Sequence, residues 1–364
     1  MTARRRTPIR KGTPVKLRST LAAALSLLLL TAGCGSASKA AGGGSSRSSG
    51  TGDMAGMPGM HQDKVTLTLN WYPYGEHAAL YYGLKHGIYA KYGIDLAIQA
   101  GQGSGKTVQA VGAGQSDFGW ADTPALMQAV SKGVPVKSLG VYLQTTPASV
   151  QFFADKPITG PADLKGKKIA GTAGDALSKT FPVFLQKNGM QSSDVSIQNT
   201  DAAGKLAAVI SGQADALLGN ANDQGPTIAD KTGKKVTAMK FADFGLTYYS
   251  DGLIASDSTL SKTDLVSRMV RATSESWTAA AADPAGAVAA MAGASQQLPA
   301  ASVLSAQFAT TIGLLHTGGT ADKAPGADTE ADWQATVQTV AGAGLIPKAG
   351  AITEYWAENL ALKA

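Results

Sequence analysis

From Val65 to Leu69 (VTLTL) apolar and polar residues alternate, the period-two pattern of a strand with one buried face. Helical apolar spacing follows over Ala78–Tyr89, then a break at Gly93 and a second alternating strand, Ile94–Ile98. The order returns further along: a strand opens at Lys168–Ala170, Phe181–Gln186 reads as helix, Gly189 punctuates, and Val195–Ile197 is the next strand.

The following unit repeats more closely still. Ser104-Gly105-Lys106 opens one helix and Ala203-Gly204-Lys205 its counterpart, and the two end at Gly114-Gln115-Ser116-Asp117-Phe118 and Gly212-Gln213-Ala214-Asp215-Ala216. Gly105 and Gly204 stand 99 residues apart and Gly114 and Gly212 stand 98 apart, so the copies differ by one indel. In each, a Gly stops the helix before an Asp and a short apolar strand, Phe118–Trp120 or Ala216–Leu218. Alternating strands and helices predict parallel sheets with helices on their faces, and the repetition predicts two α/β lobes of like plan. Tyr248, Tyr249, Ser250 and Asp251 are expected to mark the return crossing to the first lobe. Leu265–Ala282 reads as a helix stopped before Asp283-Pro284, and the Ala-rich tail to Ala364 as helices packing on that lobe.

A length of 364 residues with 44% hydrophobic content is enough for a core divided over two domains. The formal charge of +6 would suggest a polyanionic partner, but it is local: seven of the 32 basic side chains (Arg4, Arg5, Arg6, Arg10, Lys11, Lys16, Arg18) lie in the first 33 residues, which hold no acid. Beyond them 25 basic residues meet 26 acidic ones, so no nucleic acid is expected as partner. The basic run leads into Ser19–Thr31, an apolar stretch of 13 residues, and then into Ala32-Gly33-Cys34. Too short for a membrane span, this fits a signal peptide over 1–33, with Cys34, the single cysteine of the chain, as the acylated residue of a lipoprotein. Residues 34–63 are rich in Gly and Ser and read as a flexible tether. Met54, Met57, Met60 and His61 within it are soft ligands, yet a solvated linker has nothing to hold them in place, so no metal and no cofactor is expected.

Ala100–Thr107 (AGQGSGKT) matches the permissive phosphate-loop pattern between a strand and a helix. Against a nucleotide site stand Ala100 in place of the first Gly, the recurrence of Gly-Lys in the second half with Leu206 where a hydroxyl would bind magnesium, and the exported setting. The alternative is that the helix N-terminus with Ser104 lines a ligand cleft.

Taken in order, Leu69-Asn70-Trp71-Tyr72-Pro73, His77–Tyr82 (HAALYY), His86-Gly87-Ile88-Tyr89, Tyr92-Gly93-Ile94-Asp95-Leu96, the two Gly-Gln-x-Asp units and Asp163–Ile169 (DLKGKKI) resemble the extracytoplasmic substrate-binding proteins of ABC importers. The resemblance is to the branch carrying nitrate, alkanesulfonates, riboflavin and thiamine pyrimidine precursors, and it runs from residue 64 to the C-terminus. It implies a two-lobed, periplasmic-binding-protein-like (type II) α/β fold, each lobe a mostly parallel sheet flanked by helices, with ligand trapped between lobes that close about a hinge. The expected division is 64–152 for the first part of lobe one, 153–251 for lobe two and 252–364 for the rest of lobe one. A membrane permease with a separate ATPase would be the partner, the protein itself being monomeric and lipid-anchored on the extracytoplasmic face of the membrane.

Ligands of open α/β sheets bind beyond the carboxyl ends of strands, and pockets favour domain interfaces. The candidates are therefore Asn70, Trp71, Tyr74 and His77 after the first strand, Ser104 after the second, and Asp122 and Thr123 after the third. The second lobe should add Thr172, Gly174 and Asp175, then Asn220, Asn222 and Asp223. Aromatic rings beside Asn and Asp suit a flat polar heterocycle, stacked on Trp71 and hydrogen-bonded at its edge. An anion would call for Arg, and none occurs between Arg47 and Arg268. Leu69–Pro73 most resembles the carriers of thiamine pyrimidine precursors, with riboflavin, nitrate and an alkanesulfonate as alternatives. Asp117 and Asp215 read as turn caps outside the site. No nucleophile–base pair stands out, and the related eukaryotic pyrimidine synthase uses iron and a Cys-rich motif that this chain lacks. A binding protein rather than an enzyme is expected, a lipid-anchored enzyme acting on a pyrimidine being the alternative.

Overall fold

The computed structural model describes residues 62–172 and 176–363, all within one compact unit of chain. The expected leader over 1–33, the acylated Cys34 and the Met54, Met57, Met60 and His61 cluster lie outside the described residues.

The first lobe begins with β1 (Asp63–Thr68), α1 (Ala78–Lys85), α2 (Ile88–Lys91), β2 (Ile94–Gln99), α3 (Ser104–Gly112), β3 (Phe118–Asp122), α4 (Thr123–Val130) and β4 (Val136–Val141). The expected single helix over 78–89 is two, because Gly87 takes φ +70, a left-handed conformation that Gly enters without cost, and the chain turns there. The second lobe holds β5 (Ala148–Phe153), β6 (Lys168–Gly171), α5 (Ala176–Lys187), β7 (Ser196–Asn199), α6 (Ala202–Ile210), β8 (Ala216–Asn220), α7 (Gln224–Thr232) and β9 (Val236–Lys240). The chain then returns through β10 (Asp251–Ser256) and α8 (Asp257–Leu260) to the long α9 (Thr263–Ala282). After it come α10 (Pro284–Ala290), α11 (Ala301–Ile312), β11 (Ala327–Asp328), α12 (Glu330–Gly342) and β12 (Leu362–Lys363).

The two five-stranded sheets have one plan. Strand order is β2-β1-β3-β10-β4 in the first and β7-β6-β8-β5-β9 in the second. In each, four strands run the same way and one, β10 or β5, runs against them. The reversed strand is the one that has just crossed from the other lobe, so it enters its sheet from the carboxyl end of the parallel strands. The crossing out of lobe one accordingly lies between β4 and β5, over 142–147. The division expected after residue 152 falls inside β5, a strand whose residues are all buried in the second sheet.

Each sheet buries its apolar face under helices. In lobe one Trp120 of β3 stacks on Trp277 of α9 at 5.6 Å, and Phe308 of α11 closes the same cluster. Lobe two is centred on Phe181, Phe184 and Phe241, with the last two rings 4.4 Å apart. Burial of rings of this size supplies most of the drive for each lobe to close on itself.

The two Asp of the repeated motif occupy equivalent places. Asp117 Oδ2 accepts the Thr66 N–H and hydroxyl, both at 2.9 Å, and Asp215 Oδ2 accepts the Lys168 N–H at 3.0 Å. Each ties the turn before its strand to the first strand of the repeat, at the amino end of the strand it precedes.

Candidate interlobe site

After β1 the chain runs through Leu69–Pro73 into a short 3₁₀ turn, Gly75–His77, that leads into α1. The turn is buried against α11: Gly75 N–H donates to Gln307 Oε1 at 2.9 Å, and a Cβ on Gly75 would lie 2.4 Å from the Gln307 side chain. This packing drives Glu76 and His77 inward, where both are fully buried.

Glu76 is the hub. Its Oε1 accepts from Asn70 Nδ2 at 3.0 Å and from Trp120 Nε1 at 2.8 Å; its Oε2 accepts from Asn222 Nδ2 at 3.0 Å and from the Tyr74 hydroxyl. Four donors match the acceptor sites of an ionised carboxylate. Asn222 comes from the loop between β8 and α7, so this bond joins the lobes, as does the Asn222 donation to Thr311 Oγ1 at 3.2 Å.

His77 is fixed in one tautomer. Its Nδ1 accepts the Tyr74 N–H at 3.3 Å, so its Nε2–H donates to Asn70 Oδ1 at 2.8 Å. Asn70 in turn spends both amide hydrogens, on Glu76 and on Asp251 Oδ1 at 2.8 Å. Burial holds the imidazole neutral and pushes its pKa down to about 3.

Three aspartates surround Glu76. Asp122 ends β3 opposite Asp251, the first residue of β10, and the Ser250 hydroxyl reaches both, at 3.4 and 3.1 Å. Asp223 precedes α7, where its Oδ2 takes a short bond from Gln224 and its carbonyl takes one from Gln307 at 3.3 Å. Burial and then the Glu76 charge push Asp122 up to about 7 and Asp223 up to about 6, with Lys205 drawing the latter back. The same two causes, with Asp122 added, hold Asp251 well above the usual carboxylate range. Burial and the carboxyls around it raise the Tyr74 phenol too, and burial raises Glu76 itself against its four donors. Lys205 donates to Leu218 O at 3.0 Å.

Of the residues expected to form the site, Asn70, Tyr74, His77, Asn222, Asp122 and Asp223 come together here. Ser104 adjoins them, its Oγ accepting the Asp122 N–H at 3.1 Å, and Thr123 is buried with its hydroxyl on Ser250 O at 2.7 Å. Asn220 pairs with Ala148 at the sheet end, its N–H on Gln224 Oε1 at 2.7 Å, and Thr172 follows β6, half-buried. Gly174 and Asp175 lie outside the described residues. Trp71 is not part of the buried cluster: it is 41% exposed and packs edge-on against Tyr72, centroids 5.6 Å apart. Glu76, the hub, and Asp251, expected only as part of the crossing, were missed as site residues. A charged residue two positions after a Tyr and beside a His, at the start of an apolar helix, was the available signal for Glu76.

The phosphate-loop look-alike has another use. Gly101 N–H donates to Trp71 O at 3.1 Å and Gly103 N–H to Asn70 O at 2.7 Å, while the Thr107 hydroxyl donates to Leu69 O at 2.7 Å. A Cβ on Gly101 would stand 1.8 Å from Leu69 O. These glycines let the loop pack on the strand bearing Asn70, and the Gly101 and Gly103 amides and the Thr107 hydroxyl are spent on that packing.

Among known proteins, the family model described as NMT1/THI5 like matches residues 75–287, more than half of the chain. The chain belongs to the NMT1/THI5-like family. Within reach of this NMT1/THI5-like chain is the formylaminopyrimidine-binding protein of Halalkalibacterium halodurans, 24% identical over 196 residues that cover 54% of this chain and 59% of that one. The 4-amino-5-hydroxymethyl-2-methylpyrimidine phosphate synthase of Uromyces fabae is 27% identical over 166 residues, covering 45% of this chain and 48% of that one. The chain thus spans about half the length of the curated relatives it matches. The periplasmic aliphatic sulphonate binding protein SsuA of Escherichia coli superposes with a TM-score of 0.63 at 17% identity, over 80% of this chain and 91% of that one. The NMT1/THI5-like chain therefore has the two-lobed periplasmic-binding-protein fold. Among the described residues, no helix is long and apolar enough to cross a membrane.

Proposed function

We propose that the protein is a solute receptor that closes its lobes on a small polar aromatic heterocycle, a pyrimidine of the thiamine-precursor type, and delivers it to a membrane permease powered by a separate ATPase. The carrying observation is the bond between Glu76 of lobe one and Asn222 of lobe two, set among three further carboxyls. A cleft so rich in acceptors favours a ligand that brings N–H donors, and it repels nitrate or a sulfonate. The name of the Halalkalibacterium halodurans relative supports the same class of ligand. Residues 1–33 and Cys34 would supply export and a lipid anchor on the extracytoplasmic face, and 34–63 the tether.

The name of the Uromyces fabae relative favours a second reading, an enzyme acting on a pyrimidine. Calorimetric titration of the whole chain with hydroxymethylpyrimidine, formylaminopyrimidine, thiamine, riboflavin, taurine and nitrate separates the two. Saturable binding of a pyrimidine without turnover is the expected outcome. Conversion of a ligand to product by the protein alone would establish the enzyme instead. Trp71→Ala tests the stacking role: with so exposed a ring the fold should be unchanged, and unchanged affinity would remove Trp71 from the site.

A further inference from the structure

Asp122 and Asp223 are half-buried, one from each lobe, and both sit in the field of Glu76. Asp122 Oδ1 has one long bond, from Ser250, and Asp223 Oδ2 one, from Gln224; the second oxygen of each has no hydrogen-bond partner among the described residues. Beside them the fully buried amide of Asn222 spends both its hydrogens, on Glu76 and Thr311, while its Oδ1 is without a partner. A buried acceptor left unpaired costs about 1–3 kcal/mol, and a donor brought by a ligand recovers it. The groups facing this cluster are Tyr74, Glu76 and His77 from the turn, Asp122 from β3, Asp251 from β10 and Tyr248 just before it. Among the described residues lobe two adds Asp223 and one cation, Lys205 of α6. Four carboxyls against one ammonium, with the imidazole neutral, can share this space only if protons are held on some of them.

Resting on the receptor reading above, we propose that the cleft selects heterocycles with an amidine-type edge, a basic ring nitrogen beside an amino group, and binds them as the conjugate acid against Asp122, Asp223 and the Oδ1 of Asn222. The step is one proton transfer. The O–H bond of a protonated carboxyl breaks, an N–H bond forms on the ring nitrogen, and the carboxylate left behind pairs with the cation it has made; no other reactant takes part. Burial and the Glu76 charge favour the protonated form of Asp122 up to about pH 7 and of Asp223 up to about 6, so a proton is available for that transfer. Above that range the proton must come from solvent, so affinity falls by about tenfold per pH unit.

Calorimetry of the whole chain with 4-amino-5-hydroxymethyl-2-methylpyrimidine, in phosphate and in Tris from pH 6 to 8.5, reads this directly. The dissociation constant should weaken about tenfold or more between pH 7 and 8.5, with buffer-dependent heats at pH 8.5 that report proton uptake. The 4-oxo analogue should bind about tenfold or more weaker, having no amino group for Asn222. Asp122→Asn should flatten the pH dependence. A dissociation constant independent of pH with equal heats in both buffers, or equal affinity for the 4-oxo analogue, would overturn the inference while leaving the receptor reading intact. Should no pyrimidine bind, the receptor reading fails and benzamidine tests the cleft alone. As a permanent amidinium it should displace a proton and bind about tenfold tighter at pH 7.5 than at 5.5, and absence of that binding would overturn the inference as well.

Discussion

Replacing Glu76 with Met keeps the volume and removes the acceptor. Each of the four donors then loses a partner, but not equally. Asn70 Nδ2 still reaches Asp251 and Asn222 Nδ2 still reaches Thr311, whereas Trp120 Nε1 and the Tyr74 hydroxyl have no second partner. The two fully orphaned donors cost about 1–3 kcal/mol each and each Asn amide is left with one unpaired hydrogen, so the loss is at least roughly 2–6 kcal/mol. Replacing a buried ionic group by an apolar one is often neutral when the whole network is replaced. Here the donors remain, and the penalty with them. For a protein of this size the melting temperature should fall by roughly 5–15 °C in a calorimetric scan. Glu76→Gln should cost less than half as much, because the Tyr74 hydroxyl can turn to accept and the idle Oδ1 of Asn222 can take the new amide. A Met variant as stable as the parent, or a Gln variant as unstable as Met, would refute the four-donor hub.

Stability should also depend on pH. Asp122 and Asp328, both raised to about 7, keep in the folded state a proton that the unfolded chain releases near 3.8, so each stabilises at low pH and loses that contribution as pH rises from 3.8 through about 7. His77, lowered to about 3, works oppositely, destabilising as pH falls below 6.5. Melting temperature should therefore decline from pH 6.5 to 8, and the decline should shrink in Asp122→Asn; a flat profile there would count against the raised carboxyls. Asn222→Ala removes two bonds between the lobes, so unliganded protein should show a larger radius of gyration by small-angle scattering, and an unchanged value would mean that these bonds do not govern closure.

The two-lobed plan was legible because the chain states it twice, as Gly-Gln-Ser-Asp-Phe and Gly-Gln-Ala-Asp-Ala at one spacing. Strand-end logic then led to Asn70, Asp122, Asn222 and Asp223, since any residue after a parallel strand lies at the carboxyl end of its sheet. It passed over Asp251, which reaches that end by beginning a reversed strand, and Glu76, carried there by a turn whose burial depends on Gln307, 231 positions beyond it. Hydrophobic period reports neither. It also misplaced the lobe boundary, because β5 is buried along its whole length and apolar content alone does not say which sheet buries it. The repeat itself makes a claim that experiment can divide. If each Asp pins its own lobe, Asp117→Ala, losing two bonds to Thr66, should cost about 1–3 kcal/mol and speed amide exchange in β1 and β3 but not in β6 or β8. Asp215→Ala, losing the Lys168 amide bond and a weak surface pairing with Lys156 at 3.9 Å, should cost less and show the reverse pattern. Faster exchange in both sheets from either change would mean that the lobes unfold as one unit, and that the duplication visible in the chain no longer corresponds to two separable folding units.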